Sequence, residues 1–468
     1  MLAIFYVMDM LRYDYLSCYG NPRGLSPNID AIAYEGVLFE NAFSQTSWTR
    51  PSGASMLTST YPTVHNVLTV NEGYLQGIPT LPEALGSAGF KTAAISSMGH
   101  ISLDFGFGRG FDEFIELYKD KSLLNKKSNR KTRDKGWAGR HKTEQLPIPT
   151  GEDINDALFP LIEKYKGQDL FVFIWSIDTH GPYFHRDTAL ARFCAPSEDV
   201  IWGDKRDSMT TQKEISHMKD LYSDMVYYND HHIGVLKKRL VESGLYDDTL
   251  LILTADHGEA FGEHGVNGHA GIPFDEQIHV PLIMKFPGGR WKGRVGGLAQ
   301  HIDLFPTVMG FVGKDTGSSF VQGKDLMPII RGEKDEVNQY LITETRQNKE
   351  DPLSISVRTR DAKYIELIMD PFKRAGSLGK TVKDLRRRVK SMMNAKRFLF
   401  SLKEDPSEQN NLIGRGKSST SAEALASIYR EVSESNRALA GLIKRRAEEE
   451  VQADADIRSQ LRALGYID

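Results

Sequence analysis

Cysteine is almost absent from this chain: Cys18 and Cys194 are the only two among 468 residues, and they lie far apart. That excludes a disulfide-stapled miniature and a cysteine-type zinc knuckle, and it fits a reducing compartment, so a cytoplasmic location is expected. Long apolar runs are missing as well. None approaches the ~20 residues that cross a bilayer, and no membrane partner is expected. Charge of one sign is also missing, with 59 Lys+Arg against 62 Asp+Glu and a formal net charge of −3. Such a balance supplies no global attraction to nucleic acid, and none is expected as a partner. The apolar start, residues 1–7, has no basic segment before it and soon reaches Asp9, Arg12 and Asp14, so it reads as a buried strand and not as a signal.

What is present is a globular composition, 40% hydrophobic and long enough for a large core. Short runs rich in Val, Ile, Leu and Phe occupy residues 2–7, 170–177, 249–255 and 280–286, separated by amphipathic stretches. That alternation predicts an α/β fold, a mostly parallel sheet covered by helices. Ser26-Pro27 opens a helix that Gly36 closes, and Thr80-Leu-Pro-Glu83 is a capping box whose helix stops before Gly89. Residues 119–142 are basic and aperiodic, a surface insertion of about 119–150. Beyond residue 315 the runs shorten and mix: 340–343 and 363–367 read as strands, 382–393 as a basic helix, and 421–464 as a charged helical tail. A catalytic domain over 1–315 and a smaller α+β subdomain over 316–468 are expected.

Three of the apolar runs lead to an acid: Asp9, Asp178 and Asp256. Ligands of open α/β sheets bind beyond the carboxyl ends of the strands, so these acids have the placement to converge on a cation, although each also has the chemistry of a turn or cap residue. Pro51 suits a first helical turn, which places Thr49 and Ser52 at a helix N-terminus, where free N–H groups favour an anion. Thr49 there is either a nucleophile or an N-cap. Asp256 and His257 are followed by Glu259, His264 and His269 among glycines, a dense supply of carboxylate and imidazole ligands. Asp178-Thr-His180 adds another acid and imidazole at a strand end.

Asp9-Met-Leu-Arg-Tyr-Asp-Tyr-Leu-Ser-Cys-Tyr-Gly20, Thr49-Arg-Pro-Ser52, Asp178-Thr-His-Gly-Pro-Tyr183 and Asp256-His-Gly-Glu259 resemble, in order, the sulfatase branch of the alkaline phosphatase superfamily. Phe398-Leu-Phe-Ser-Leu-Lys-Glu-Asp-Pro-Ser-Glu-Gln-Asn-Asn-Leu412 and Leu461-Arg-Ala-Leu-Gly-Tyr466 resemble its C-terminal segments. The resemblance implies an alkaline phosphatase-like fold and a divalent metal held by Asp9, Asp256 and His257 together with Thr49 at the nucleophile position. It also marks departures. Sulfatases place there a Cys or Ser that becomes formylglycine, which Thr cannot form. Met10 stands where many have a second Asp, Gly53 where the motif has Arg, Ser96-Ser-Met-Gly99 where it has Gly-Lys-Trp-His, and His269 where a second Lys is usual.

Thr49 with His180, Glu259 and His269 looks instead like the phosphodiesterases and the phosphoethanolamine and phosphoglycerol transferases of the superfamily. The expected catalytic residues are Thr49, His180 and His269. Asp178, His180, Glu259, His264, His269 and Asn71 are expected to hold a second metal or the substrate. One or two divalent ions are expected, zinc or manganese ahead of calcium or magnesium. The expected activity is metal-dependent hydrolysis of a small phosphate or sulfate ester, phosphate favoured, through a covalent Thr49 intermediate. An ordinary sulfatase, a soluble phosphotransferase and an inactive metal- or anion-binding protein are the alternatives.

Overall fold

Residues 2–8, Leu-Ala-Ile-Phe-Tyr-Val-Met, are buried on both faces, which only a central strand under two helical layers allows. The computed structural model describes residues 1–70, 72, 77–125, 147–196, 200–201, 211–369, 397–414 and 418–443. Its main sheet has eight strands: β1 (Leu2–Met8), β2 (Val37–Phe43), β3 (Lys91–Ser96), β4 (Glu113–Glu116), β5 (Leu170–Ser176), β6 (Thr249–Ala255), β9 (His279–Lys285) and β10 (Gly293–Gln300), in the order β10-β2-β9-β6-β1-β5-β3-β4. A two-residue ribbon, β7 (Ala260–Phe261) and β8 (Asn267–Gly268), rises between β6 and β9. Only β9 runs against its neighbours β2 and β6. β1 pairs in parallel with β5 on one side and β6 on the other, Met8 lying level with Ser176 and Ala255. The loops that follow these three strands therefore leave the sheet at one edge of the core.

The helices expected from cap chemistry form as expected. α1 (Pro27–Glu35) starts on a proline and stops at Gly36, and α3 (Leu81–Ser87) carries the Thr80–Glu83 capping box. Between them α2 (Thr49–Thr58) is buried along its whole length. α4 (Gly151–Lys164), the long α5 (Gln212–Glu242) and α6 (Leu304–Phe311) complete the cover among the described residues. No helix among them is long and apolar enough to cross a membrane.

A second, antiparallel sheet follows: β11 (Leu341–Thr345), β12 (Leu353–Arg358), β13 (Ala362–Ile368) and β14 (Arg397–Ser401), with α7 (Ser418–Leu442) packed on it. The basic stretch at 382–393, most of the 119–150 insertion, the tail beyond 443 with its Leu461–Tyr466 motif, and Asn71 lie outside the described residues.

The small sheet is tied to the main one by buried charge. Lys363, fully buried on β13, lies 2.7 Å from Asp275 and 2.7 Å from Glu408, and Arg358 on β12 reaches Asp275 at 2.6 Å. Burial pushes the Asp275 carboxyl up, but Arg358 and then Lys363 outweigh it and hold it well below the usual carboxylate range. Glu408, the second acid on the same lysine, is pushed up to about 7, by burial first and then by Asp275. Lys363→Met leaves two buried carboxylates short of a cation and is expected to cost about 3–5 kcal/mol in urea denaturation. Because the folded pKa of Asp275 is depressed, its stabilisation is full above the unfolded value near ~3.9 and is lost as pH falls below it. The acid-side decline of the melting temperature is accordingly expected to be shallower in Asp275→Asn.

Candidate active site

Asp9 and Asp256 follow directly on β1 and β6, neighbouring strands, so the register of the sheet alone brings them side by side. Each carboxylate has one oxygen fixed and one left over. Asp9 Oδ2 accepts from Trp175 Nε1 at 2.9 Å, and Thr179 Oγ1 donates to the Asp9 backbone carbonyl. Asp256 Oδ1 accepts from the backbone N–H of Met10 at 2.9 Å and of His257 at 2.8 Å. Asp9 Oδ1 and Asp256 Oδ2 have no hydrogen-bond partner, although both residues are 0% exposed.

His257 completes the group. Its Nδ1 lies 2.8 Å from the Gly258 carbonyl, which can only accept, so the ring proton is on Nδ1 and Nε2 presents a lone pair. Nε2 stands 3.2 Å from Asp256 Oδ2 and 3.9 Å from Asp9 Oδ1. Ligand atoms of the three side chains all lie within 4.8 Å of one another. Two unpaired carboxylate oxygens and an imidazole lone pair facing one another are a donor set that fits a divalent cation. Without one, burial and then Asp256 raise the Asp9 carboxyl well above its usual range, burial lifts Asp256 to about 7, and burial lowers His257 to about 4.

Thr49 reaches this group from the start of α2. Its Oγ1 lies 3.4 Å from His257 Nε2. The helix N-cap is Trp48, which makes no side-chain cap bond, so the Thr49 hydroxyl is not spent as a cap. Ser52, one turn in, donates to the Asp256 backbone carbonyl at 2.8 Å and locks the helix end against the strand end.

Three more polar groups stand beside the cluster. The His269 ring is 4.5 Å from that of His257 and 5.8 Å from that of His180. Glu259, fully buried, accepts from Tyr183 Oη at 2.8 Å and faces His269 Nδ1 at 3.4 Å. His100, which sequence reasoning passed over although it sits just after β3, is buried nearby. Its Nδ1 lies 2.6 Å from Arg50, and burial, then Arg50, His180 and His269, hold its pKa well below the usual imidazole value. Its position in the loop after β3, directly behind the Ser96–Gly99 stretch, is the signal that could have found it.

The sulfatase family model matches residues 2–314. The chain belongs to the sulfatase family. An ulvan-active sulfatase of Formosa agariphila is 27% identical over 355 residues, covering 72% of this chain and 66% of that enzyme. The rat N-acetylgalactosamine-6-sulfatase is 27% identical, covering 69% and 64%. The chain thus spans just under two thirds of these two relatives. An N-acetylglucosamine-6-O-sulfatase of Bacteroides thetaiotaomicron is 24% identical, covering 92% and 85%. The phosphonate monoester hydrolase of Agrobacterium radiobacter shares the fold with a TM-score of 0.69 at 20% identity, covering 94% of this chain and 95% of that one. The fold is that of the alkaline phosphatase superfamily.

Against that family, two positions differ for visible reasons. Met10, where a second ligand Asp is common, has φ 62° and uses its backbone N–H to hold Asp256. At Gly53 a Cβ would come within 2.8 Å of Ile101 and 3.0 Å of Phe107, so the room an arginine needs is filled by apolar side chains.

Asp178 corrects the expectation that three strand-end acids converge. Asp178 Oδ2 accepts instead from the Gly151 N–H at the start of α4 and from Asn229, both at 2.9 Å. His264 is corrected likewise. It is turned to Glu276 at 2.9 Å and to the Glu408 carbonyl at 3.0 Å, flat on Phe274, and so belongs to the link with the small sheet.

Proposed function

We propose that this chain is a metal-dependent ester hydrolase that prefers phosphate esters, diesters above all, and works through a covalent Thr49 intermediate. The observation that carries this is the Thr49 hydroxyl at a helix N-terminus, 3.4 Å from His257 Nε2 and beside two unpaired carboxylate oxygens. Asp9, Asp256 and His257 would hold one divalent cation, for which carboxylate with imidazole favours zinc or manganese over calcium or magnesium. Bound there, the cation lowers the pKa of a neighbouring hydroxyl and neutralises charge on the ester's non-bridging oxygens.

The chain's own groups account for the rest. Thr49 Oγ1 loses its proton to His180 or His269 and forms the bond to phosphorus as the bond to the leaving alkoxide breaks, and the same histidine passes that proton on to the alkoxide. The N-terminus of α2 stabilises the anionic oxygens. Water then attacks phosphorus and restores the Thr49 hydroxyl. A sulfated threonine would have no aldehyde-hydrate route for shedding sulfate, and the filled space at Gly53 removes one cationic contact that a sulfatase uses, so phosphorus is favoured over sulfur.

The second reading, an ordinary sulfatase, draws on the names of the relatives. Aryl sulfate, aryl phosphate and bis-aryl phosphate esters separate the two. The expected result is kcat/KM higher for the phosphodiester than for the sulfate by about 10²-fold, ~2.7 kcal/mol of transition-state preference. Faster turnover of the sulfate would make the chain a sulfatase in the ordinary sense.

A further inference from the structure

The segment after the His180 loop carries a second group of ligand-type side chains, which the reaction does not use. His185 Nε2 lies 3.1 Å from Asp224 Oδ2, and Cys194 Sγ lies 3.4 Å from each of them. His185 and Asp224 are buried and Cys194 is half-buried, a free thiol. Thiol and carboxylate meet the same imidazole nitrogen. In a nucleophilic relay the acid would instead hold the opposite ring nitrogen, so this is not a Cys-His-Asp triad.

The separations match one face of a tetrahedral zinc site, in which bonds of ~2.0–2.3 Å to N, O and S set ligand atoms about 3.3–3.6 Å apart. The carboxylate is oriented as a ligand would be: Asp224 Oδ1 accepts from the backbone N–H of Arg192 at 2.6 Å and of Phe193 at 3.0 Å. A thiolate in the set favours zinc over calcium or magnesium, which take oxygen ligands.

We propose that His185, Cys194 and Asp224 form a structural zinc site separate from the catalytic group, with water as the fourth ligand. Binding forms the Sγ–zinc bond and releases the Cys194 proton to solvent, with no change of oxidation state. The ion fastens residues 185–194 to α5. Arg186, next to the ligand His185, donates to the backbone carbonyls of Ile177, Asp178 and His180, so the strap also steadies the loop that carries His180.

The test uses the full chain with Cys18→Ser, which leaves Cys194 as the single thiol. Zinc is expected to slow its reaction with Ellman's reagent by about 10-fold or more, with EDTA restoring the rate. Cobalt(II) in place of zinc is expected to give a thiolate-to-cobalt charge-transfer band. Cys194→Ser is expected to remove that band and about one equivalent of bound zinc, whereas Asp256→Asn keeps both. A thiol that reacts equally fast with and without zinc overturns the proposal, and so does unchanged zinc content in Cys194→Ser. The thiol measurement needs no substitution at the site, so it decides the matter even if Cys194→Ser does not fold.

Discussion

Thr49→Ala is expected to fold, to bind metal and to lose turnover by a factor on the order of 10³ to 10⁶. The fold survives because Thr49 does not occupy the N-cap position. Trp48 is the N-cap, Thr49 is the first helical residue, and alanine is the better helix former there. Metal is retained because Asp9, Asp256 and His257 supply the ligand atoms that already converge. Turnover is lost because the other hydroxyls beside the ligands, those of Ser52 and Thr179, are held on the backbone carbonyls of Asp256 and Asp9. Thr49→Ser restores the hydroxyl with a freer χ1 and is expected to recover most of the lost rate. Circular dichroism and metal content establish that the variant is intact, and initial rates on a bis-aryl phosphate measure the loss.

Asp256→Asn is expected to abolish turnover and metal binding at the Asp9–Asp256–His257 group and yet make the metal-free chain more stable. In the native residue Oδ1 is held by two backbone N–H groups while Oδ2 faces Asp9 Oδ1 and His257 Nε2, neither of which can donate to it once the pH is high enough to ionise both raised carboxyls, the condition under which the comparison is made. An asparagine keeps the Oδ1 contacts and places an amide N–H₂ against those two acceptors. One buried charge disappears and two acceptors gain a donor, worth about 1–3 kcal/mol. Metal reverses the ranking, since a ligand at 100 times its Kd adds about 2.7 kcal/mol to the chain that binds it. Melting curves with EDTA and with added metal should therefore cross: the variant melts higher without metal, the native chain with it. A variant less stable than the native chain under both conditions would mean that the two carboxylates do not repel as the geometry implies.

The part of this site that the sequence makes legible is the part that strand register controls. Asp9 and Asp256 directly follow apolar runs that read as central strands, and adjacent parallel strands deliver their next residues to the same place. Helix starts were legible through Pro27 and the Thr80–Glu83 box, because those signals are local. Asp178 was not legible, since it follows β5 by one residue more and its carboxylate is claimed by a helix brought from 27 residues away. His264 sits in the same glycine-rich loop as His269, and only its pairing with Glu276 and Glu408 turns it away.

Strands β2 and β10 are among those that went unread for reasons of composition. β2 carries Glu40 and Asn41 at a bulge, and β10 is interrupted by Gly296 and Gly297 at a register shift, so neither reads as an apolar run. The zinc-type group went unread because His185, Cys194 and Asp224 have no motif spacing, and only the packing of α5 unites them.

Trapping the enzyme during turnover tests the central claim most directly. The chain is mixed with excess bis-aryl phosphate, quenched in acid within the first turnovers and analysed by intact mass and peptide mapping. The account predicts a phosphoryl adduct on the peptide containing Thr49 that forms with the burst of released phenol and is absent from Thr49→Ala. A full burst with Thr49 unmodified, or an adduct on a different side chain, would contradict it.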